Sequence, residues 1–277
     1  MTALSTARPT PNPNPPEPAQ ALLLAAGRGE RMRPLTDTTP KPLLAVQGKP
    51  LMQWHLEALA RGGVRSVCIN TAWLGEQMPA RFGARFTPQA AAWDGAGPAP
   101  QLALHYSMEG QDFGGALETA GGIVRALPRL DDVFWLLAGD VFAPEFVFSH
   151  AVRAAFARSP LLAHIWLVPN PDHHPQGDFG VAVLPGGRLL AHNGADAPKH
   201  TYSTIGLYKK AFFAQPWCPI PAGNPQGVAA PLGPMLRAAI DTGQVGASVY
   251  PDRWVDVGTP ERLAALNAPG PTSAALH

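Results

Sequence analysis

With 277 residues, 46% of them hydrophobic and only 15% charged, the chain has length for one large domain or two small ones and can bury a sizeable core. A formal net charge of +1 gives no electrostatic reason to bind nucleic acid or an anionic membrane, so any cationic site has to be local. No apolar run approaches the roughly 18 residues of a membrane span, which predicts a cytoplasmic protein with neither nucleic acid nor membrane as partner.

The prolines at 9, 11, 13, 15, 16 and 18, with no apolar signal core beside them, predict a disordered tail over 1–19 rather than a targeting segment. Leu22-Leu23-Leu24-Ala25-Ala26 then reads as a short buried strand that stops at a glycine. Gly27 and Gly29 permit a tight turn whose N–H groups can converge on an anion, and Arg28, Arg31 and Arg33 add positive charge beside it. A phosphate chain suits such a loop. It is no Walker motif, since no Gly-Lys-Ser/Thr follows, and Met32 stands where a dinucleotide loop has its third glycine.

Pro40-Lys41-Pro42 is a stiff connection into a short apolar segment, and apolar residues at helical spacing over 48–60 predict a helix stopped by Gly62-Gly63. Strands are expected over 64–70, 102–107, 133–138 and 161–168. Helices are expected over 74–82, 117–127 and 146–159, with a surface loop over 86–100 and a flexible loop over 110–115. This alternation predicts an α/β layer with a mainly parallel sheet. Beyond it, 179–184 and 188–191 flank Pro185-Gly186-Gly187 as a hairpin would. A strand over 201–208, a helix over 231–241 and a strand over 245–250 follow. Thr259-Pro260-Glu261 opens a last helix with a capping hydroxyl, a proline and an acid, ending near 267 before a flexible tail over 268–277. The body is thus one domain over 20–267.

Two aspartates carry chemistry. Asp140 and Asp256 each end or interrupt a short apolar stretch, and open α/β sheets bind ligands beyond their strand ends. Two carboxylates converging there would hold a hard divalent cation, Mg²⁺ being the one that shares phosphate oxygens. Taken singly, either could simply cap a turn. The histidines 164, 173, 174, 192 and 200 match no zinc spacing, and His173-His174 is better read as a loop beside a substrate pocket. Cys68 and Cys218, far apart, fit neither a disulfide framework nor a metal pattern and read as small buried residues.

The longer string Leu24-Ala25-Ala26-Gly27-x-Gly29-x-Arg31-Met32-x-Pro34-Leu35-Thr36, followed by Pro40-Lys41-Pro42-Leu43, resembles the signature of the sugar-1-phosphate nucleotidyltransferases. Glu118-Thr119-Ala120-Gly121-Gly122, Gly139-Asp140 and Trp254-Val255-Asp256-Val257-Gly258-Thr259 continue the likeness in order over nearly the whole chain. Within that family, Asn70-x-Ala72-Trp73 and Asn170-Pro171-x-His173-His174-x-x-Gly177-Asp178-Phe179 are most similar to the branch that uridylylates N-acetylmuramate α-1-phosphate.

The resemblance implies a Rossmann-like nucleotidyltransferase fold, a mixed and mostly parallel sheet flanked by helices with a β-rich sugar-binding half. It implies a nucleoside triphosphate and a sugar 1-phosphate as partners, Mg²⁺ as cofactor, and a monomer or small homo-oligomer. Arg31, Lys41 and Asp140 become the catalytic residues, and Asp140 with Asp256 the metal ligands. Leu24, Ala25, Ala26, Gly27, Arg28 and Gly29, with Glu109, Thr119, Ala120, Gly121 and Asp140, are expected to bind the nucleotide. Gly180, Asn193, Lys199 and Thr204 are expected to wall the sugar phosphate.

The chain also departs from the family pattern. Ala120 and Thr204 stand where glycines are usual, Ala138 replaces an asparagine, residues 111–116 form a longer loop, and no Glu-Lys-Pro sugar-binding element is evident. Guanylyl transfer to mannose 1-phosphate, or thymidylyl or cytidylyl transfer to another phosphate, therefore stays open. So does a regulatory paralogue without activity, which would be expected to lack one of Arg31, Lys41, Asp140 or Asp256.

Overall fold

The computed structural model describes residues 19–93, 97–185, 187, 189–194 and 198–268. The proline-rich tail except Ala19, the C-terminal tail beyond Ala268, residues 94–96 of the expected surface loop and Gly186 of the expected hairpin turn lie outside the described residues.

β1 (Ala19–Ala25) takes the first apolar run, and Ala21, Leu22 and Leu23 have no exposed surface because neighbouring strands and helices cover both faces. Three single 3-10 turns, Glu30–Met32, Leu35–Asp37 and Lys41–Leu43, lead to the small hairpin of β2 (Ala45–Val46) and β3 (Lys49–Pro50) and then α1 (Leu51–Arg61). β4 (Ser66–Thr71), α2 (Gln77–Phe82), β5 (Arg85–Phe86) and β6 (Leu102–Met108) follow. After them come α3 (Glu109–Phe113), α4 (Glu118–Ala126), β7 (Leu130–Ala138), β8 (Val141–Phe142) and α5 (His150–Arg158). The second half holds β9 (Ala163–Val168), β10 (Gly180–Val183), β11 (Leu189–His192) and β12 (Thr201–Lys209). α6 (Leu232–Asp241), β13 (Val245–Val249), β14 (Val255–Asp256) and α7 (Pro260–Asn267) complete it.

Ten strands form one mixed sheet in the order β10-β11-β13-β9-β12-β7-β1-β4-β6-β5. Parallel ladders join β1 to β4 and β7, β4 to β6, and β13 to β9, while β5, β11 and β12 run against the rest. The expected mixed, mostly parallel α/β sheet is the one observed. Helices cover both faces: Met52 and Leu56 of α1 and Phe156 of α5 enter one core, and Ile123 of α4 with Leu236 and Ile240 of α6 enter the other. A third, smaller core of Met32, Leu51, Phe142, Val257, Leu263 and Leu266 lies beneath the glycine–arginine loop. Among the described residues no helix is long and apolar enough to cross a membrane.

Several local expectations need correction. The helix expected over 146–159 starts only at His150, where Ser149 caps it by accepting the Val152 N–H at 3.3 Å. Phe146 and Phe148 instead turn inward against Trp135, Phe148 edge-on with ring centres 5.1 Å apart, so their apolar spacing records core contacts and not a helical stripe. The loop expected over 110–115 contains α3, ended by Gly114 in the left-handed region at φ 78°. The helix expected over 74–82 is confined to 77–82, and the loop expected over 86–100 begins with β5 paired antiparallel to β6. The antiparallel pair β8–β14 is too short for any period to reveal, yet it has the largest consequence for function.

Candidate active site

The glycine–arginine loop leaves the carboxyl end of β1 and is braced from below. Gly29 adopts φ 69°, and its carbonyl accepts the Met32 N–H at 2.9 Å and the Thr36 hydroxyl at 2.8 Å. A Cβ there would lie 3.0 Å from Thr36 Cγ2, so glycine answers both the backbone angle and the close packing. Of the three arginines, only Arg31 lines the cleft. The Arg28 guanidinium lies 3.6 Å over the Trp73 ring, donates to the Thr36 carbonyl at 3.0 Å and pairs with Asp37, which also holds Arg33 at 2.7 Å. Arg28 therefore positions the loop through its side chain, a role its place in the motif does not reveal.

Four openings of one cleft all include Asp140. Asp140 follows the carboxyl end of β7, and Lys41, almost wholly buried, places its Nζ 2.8 Å from Oδ2. The β8–β14 ladder sets Asp256 opposite Val141, and the Val257 N–H donates to the Asp140 carbonyl at 3.0 Å. Two carboxylates distant in sequence thus reach one corner, carried by the third core. Arg262 of α7 pairs with Asp256 at 2.7 Å, and His173 lies 3.6 Å from the same carboxylate.

These are hard oxygen donors, each balanced by a cation of the chain, and Asp140 keeps 42% of its side chain exposed. Among the described residues no group of three His, Cys, Asp or Glu side chains could hold a metal. The donor set fits a divalent cation that takes two carboxylates and completes its shell with water and phosphate oxygens; it does not fit a zinc centre.

The first chamber is lined by Leu24, Ala25, Ala26, Gly27 and Thr119, and also by Asn70, which enters the sequence reading only as part of a family motif and not as a site residue. Asn70 stands one residue before the end of β4, a polar side chain after the apolar run Val67-Cys68-Ile69, and that is the available signal. Its amide oxygen accepts the Ala25 N–H at 2.8 Å and its nitrogen donates to Glu109 Oε1 at 2.8 Å. Glu109 is completely buried, its second oxygen taking the Leu117 N–H at 2.9 Å; burial pushes its pKa up while these two bonds oppose the shift. It is a strut behind the wall, not a lining residue. Ala120 and Gly121 also stand behind, both donating their N–H groups to the Ala230 carbonyl, at 2.8 and 3.1 Å.

The second chamber, about 440 Å³, runs from Asp140 to α6 and is lined by Phe179, Tyr202, Thr204, Leu236 and Arg237 among others. Thr204 sits at φ 64°, where β12 shifts register against β9 between Tyr202 and Gly206. This explains the glycine usual at that place: the chain puts a β-branched residue into the left-handed region. Of the other residues expected in this wall, Gly180 packs against His192, Asn193 is tied to α6, and Lys199 presents its carbonyl to Asn170; none of the three lines the cleft. His173 and His174 line a third opening with Arg31, Thr204, Trp254 and Asp256.

This architecture has known counterparts. The sequence profile of the nucleotidyl transferase family matches residues 20–269, and the chain belongs to that family. Its relatives place it among enzymes that transfer a nucleotidyl group to a sugar 1-phosphate. The chain is 40% identical over 250 residues to an N-acetylmuramate alpha-1-phosphate uridylyltransferase of Neisseria meningitidis serogroup B, covering 89% of this chain and 96% of that protein. It is 35% identical over 260 residues to a protein of the same name from Caulobacter vibrioides, covering 89% and 95%. The inositol-1-phosphate CTP transferase structure from T. maritima shares the fold, with a TM-score of 0.58 at 18% identity over 89% of this chain and 95% of that one.

Proposed function

We propose that this enzyme transfers the uridylyl group of UTP to N-acetylmuramate α-1-phosphate, releasing pyrophosphate and UDP-N-acetylmuramate, a reaction of cell-wall recycling in the cytoplasm. The observation that carries the reading is the convergence at Asp140. There the glycine–arginine loop, Lys41 at 2.8 Å and the strand bearing Asp256 meet where two chambers of the cleft adjoin. The sugar and base follow the relatives of that name, which match across nearly their whole length.

The nucleophile is a phosphate oxygen, anionic at neutral pH, so no general base is needed. It bonds to the α-phosphorus of UTP as the bond from that phosphorus to the pyrophosphate oxygen breaks, and the departing oxygen keeps the electron pair. What the protein supplies is alignment and relief of repulsion between two polyanions. The loop N–H groups and Arg31 would take the leaving end of the triphosphate, and Lys41 would swing from Asp140 to the α-phosphate. Asp140 and Asp256 would hold Mg²⁺, which when bound neutralises phosphate charge and polarises the α-phosphoryl group. Asn70 would bear on the nucleotide in the first chamber, alongside Leu24, Ala25, Ala26, Gly27 and Thr119.

The test is a pyrophosphate-release screen of four nucleoside triphosphates against a panel of sugar 1-phosphates with Mg²⁺. Fastest turnover is expected with UTP and N-acetylmuramate 1-phosphate. A preference for GTP and mannose 1-phosphate would refute this substrate assignment while leaving the reaction class intact, and no turnover with any pair would favour a regulatory protein.

A further inference from the structure

We propose that Arg237 is the residue by which the second chamber selects a sugar bearing a carboxylate; this rests on the reading of N-acetylmuramate as substrate and assigns the group that recognises its lactyl acid. Arg237 lines the second chamber only, away from the openings lined by Lys41 and Arg31 where phosphate charge is handled. Its guanidinium carbon lies 4.8 Å over the ring of buried Phe179, and its Nη1 is 3.5 Å from Asn193 Oδ1. Asn193 is itself anchored to α6, donating to the Arg237 carbonyl at 2.9 Å and to the Asp241 carboxylate at 2.6 Å. The guanidinium is thereby held over an aromatic face, with Nη1 given to Asn193 and no other hydrogen-bond partner for its nitrogens among the described residues.

Arg237 has no carboxylate partner within 4 Å among the described residues. Apart from Asp140, the carboxylate on this wall is Asp178, whose two oxygens are engaged by His174 at 3.2 Å and by the Tyr202 N–H at 2.8 Å. The neighbouring wall from Leu136, Phe179 and Leu236 is apolar. A planar cation held against an aromatic ring, facing a chamber that already has a phosphate site elsewhere, suits bidentate pairing with a second anion of the same ligand. N-acetylmuramate differs from N-acetylglucosamine by the lactyl ether, whose carboxylate is that anion.

The experiment compares kcat/KM for N-acetylmuramate 1-phosphate and N-acetylglucosamine 1-phosphate in the wild type, Arg237→Gln and Arg237→Lys, with UTP and Mg²⁺. Arg237→Gln is expected to lower the value for the carboxylated sugar roughly 10- to 100-fold, mainly through KM, and that for N-acetylglucosamine 1-phosphate, which lacks the carboxylate, by far less. Arg237→Lys should fall between, keeping the charge but losing the fork. Calorimetric binding of the two UDP-sugars gives the same comparison where turnover of the uncharged sugar is slow. Equal losses for both sugars would overturn the proposal, assigning Arg237 to the shared phosphate or to structure, and so would no loss at all. A wild type without preference for the carboxylated sugar would refute the substrate reading, and this proposal with it. A preference that persists in Arg237→Gln refutes only the role of Arg237.

Discussion

Asp140 is the side chain shared by every opening of the cleft, and it enters an ion pair with a lysine 99 residues away. If it and Asp256 hold the cation, Asp140→Asn and Asp256→Asn should each cut turnover by roughly 10²- to 10³-fold, measured by pyrophosphate release, with the melting temperature nearly unchanged. Near-normal turnover in either would remove that residue from the metal site. Thr204 makes a different prediction. A β-branched residue at φ 64° stores strain that glycine would release. Thr204→Gly should therefore stabilise the fold by about 1 kcal/mol even after the glycine's extra unfolded-state entropy, read as a midpoint shift in urea. Both aspartates were legible in sequence because a lone carboxylate beside an apolar stretch is a local anomaly. The side-chain role of Arg28 was not, since Trp73, the ring that captures it, comes from the segment after β4.

At the level of elements, the segment from β6 through α4 works with β4 as a framework behind the first chamber. Asn70 near the end of β4, Glu109 at the start of α3 and the Leu117 N–H before α4 are linked by buried hydrogen bonds of 2.8 and 2.9 Å. Gly122 packs against that link: a Cβ would stand 2.6 Å from Glu109 Oε1 and 2.8 Å from Asn70 Nδ2. Gly122→Ala should force the pair apart and cost about 2 to 3 kcal/mol, seen as a fall in the unfolding midpoint, with a rise in KM for the triphosphate as Asn70 shifts. The existence of α4 could be read from its apolar spacing, and α7 from its cap. The fate of 146–149 could not, because Phe146 and Phe148 run directly into the residues of α5 in sequence, and only Trp135 on β7 shows that both rings turn into the core instead.

Over the whole molecule, the wide sheet buries histidines that titrate in the unfolded chain. His164, between β12 and β13 in the sheet, bonds to the Ser248 hydroxyl at 2.9 Å, and burial lowers its pKa from 6.5 to about 4. Above pH 6.5 neither state binds the proton. As pH falls below 6.5 the unfolded chain takes it up while the folded chain resists until about 4, so stability is lost across that window. Each such shift is worth about 3 kcal/mol in total. His164→Gln, which keeps a partner for Ser248, should therefore lose about 2 to 3 kcal/mol less than the wild type between pH 7 and pH 4.5, measured by urea unfolding at each pH. His55, buried beneath the active site and also held near 4, adds a loss of the same sign in both proteins.

By itself the sequence determined the α/β class and marked the glycine–arginine loop and the two aspartates, because apolar runs, glycine turns and lone carboxylates are properties of adjacent residues; the kind of reaction came from the resemblance of its motifs to a known family. Only the tertiary structure decided what those features face. β12 enters antiparallel between β7 and β9, which brings the chamber of the second half to the strand end that carries Asp140. In that arrangement Gly180, Asn193 and Lys199 do not line the cleft, and Arg237 of α6 does. Periodicity encodes that a face is buried or exposed; which distant side chain lies across from it is set by strand order, and strand order is a property of the whole sheet.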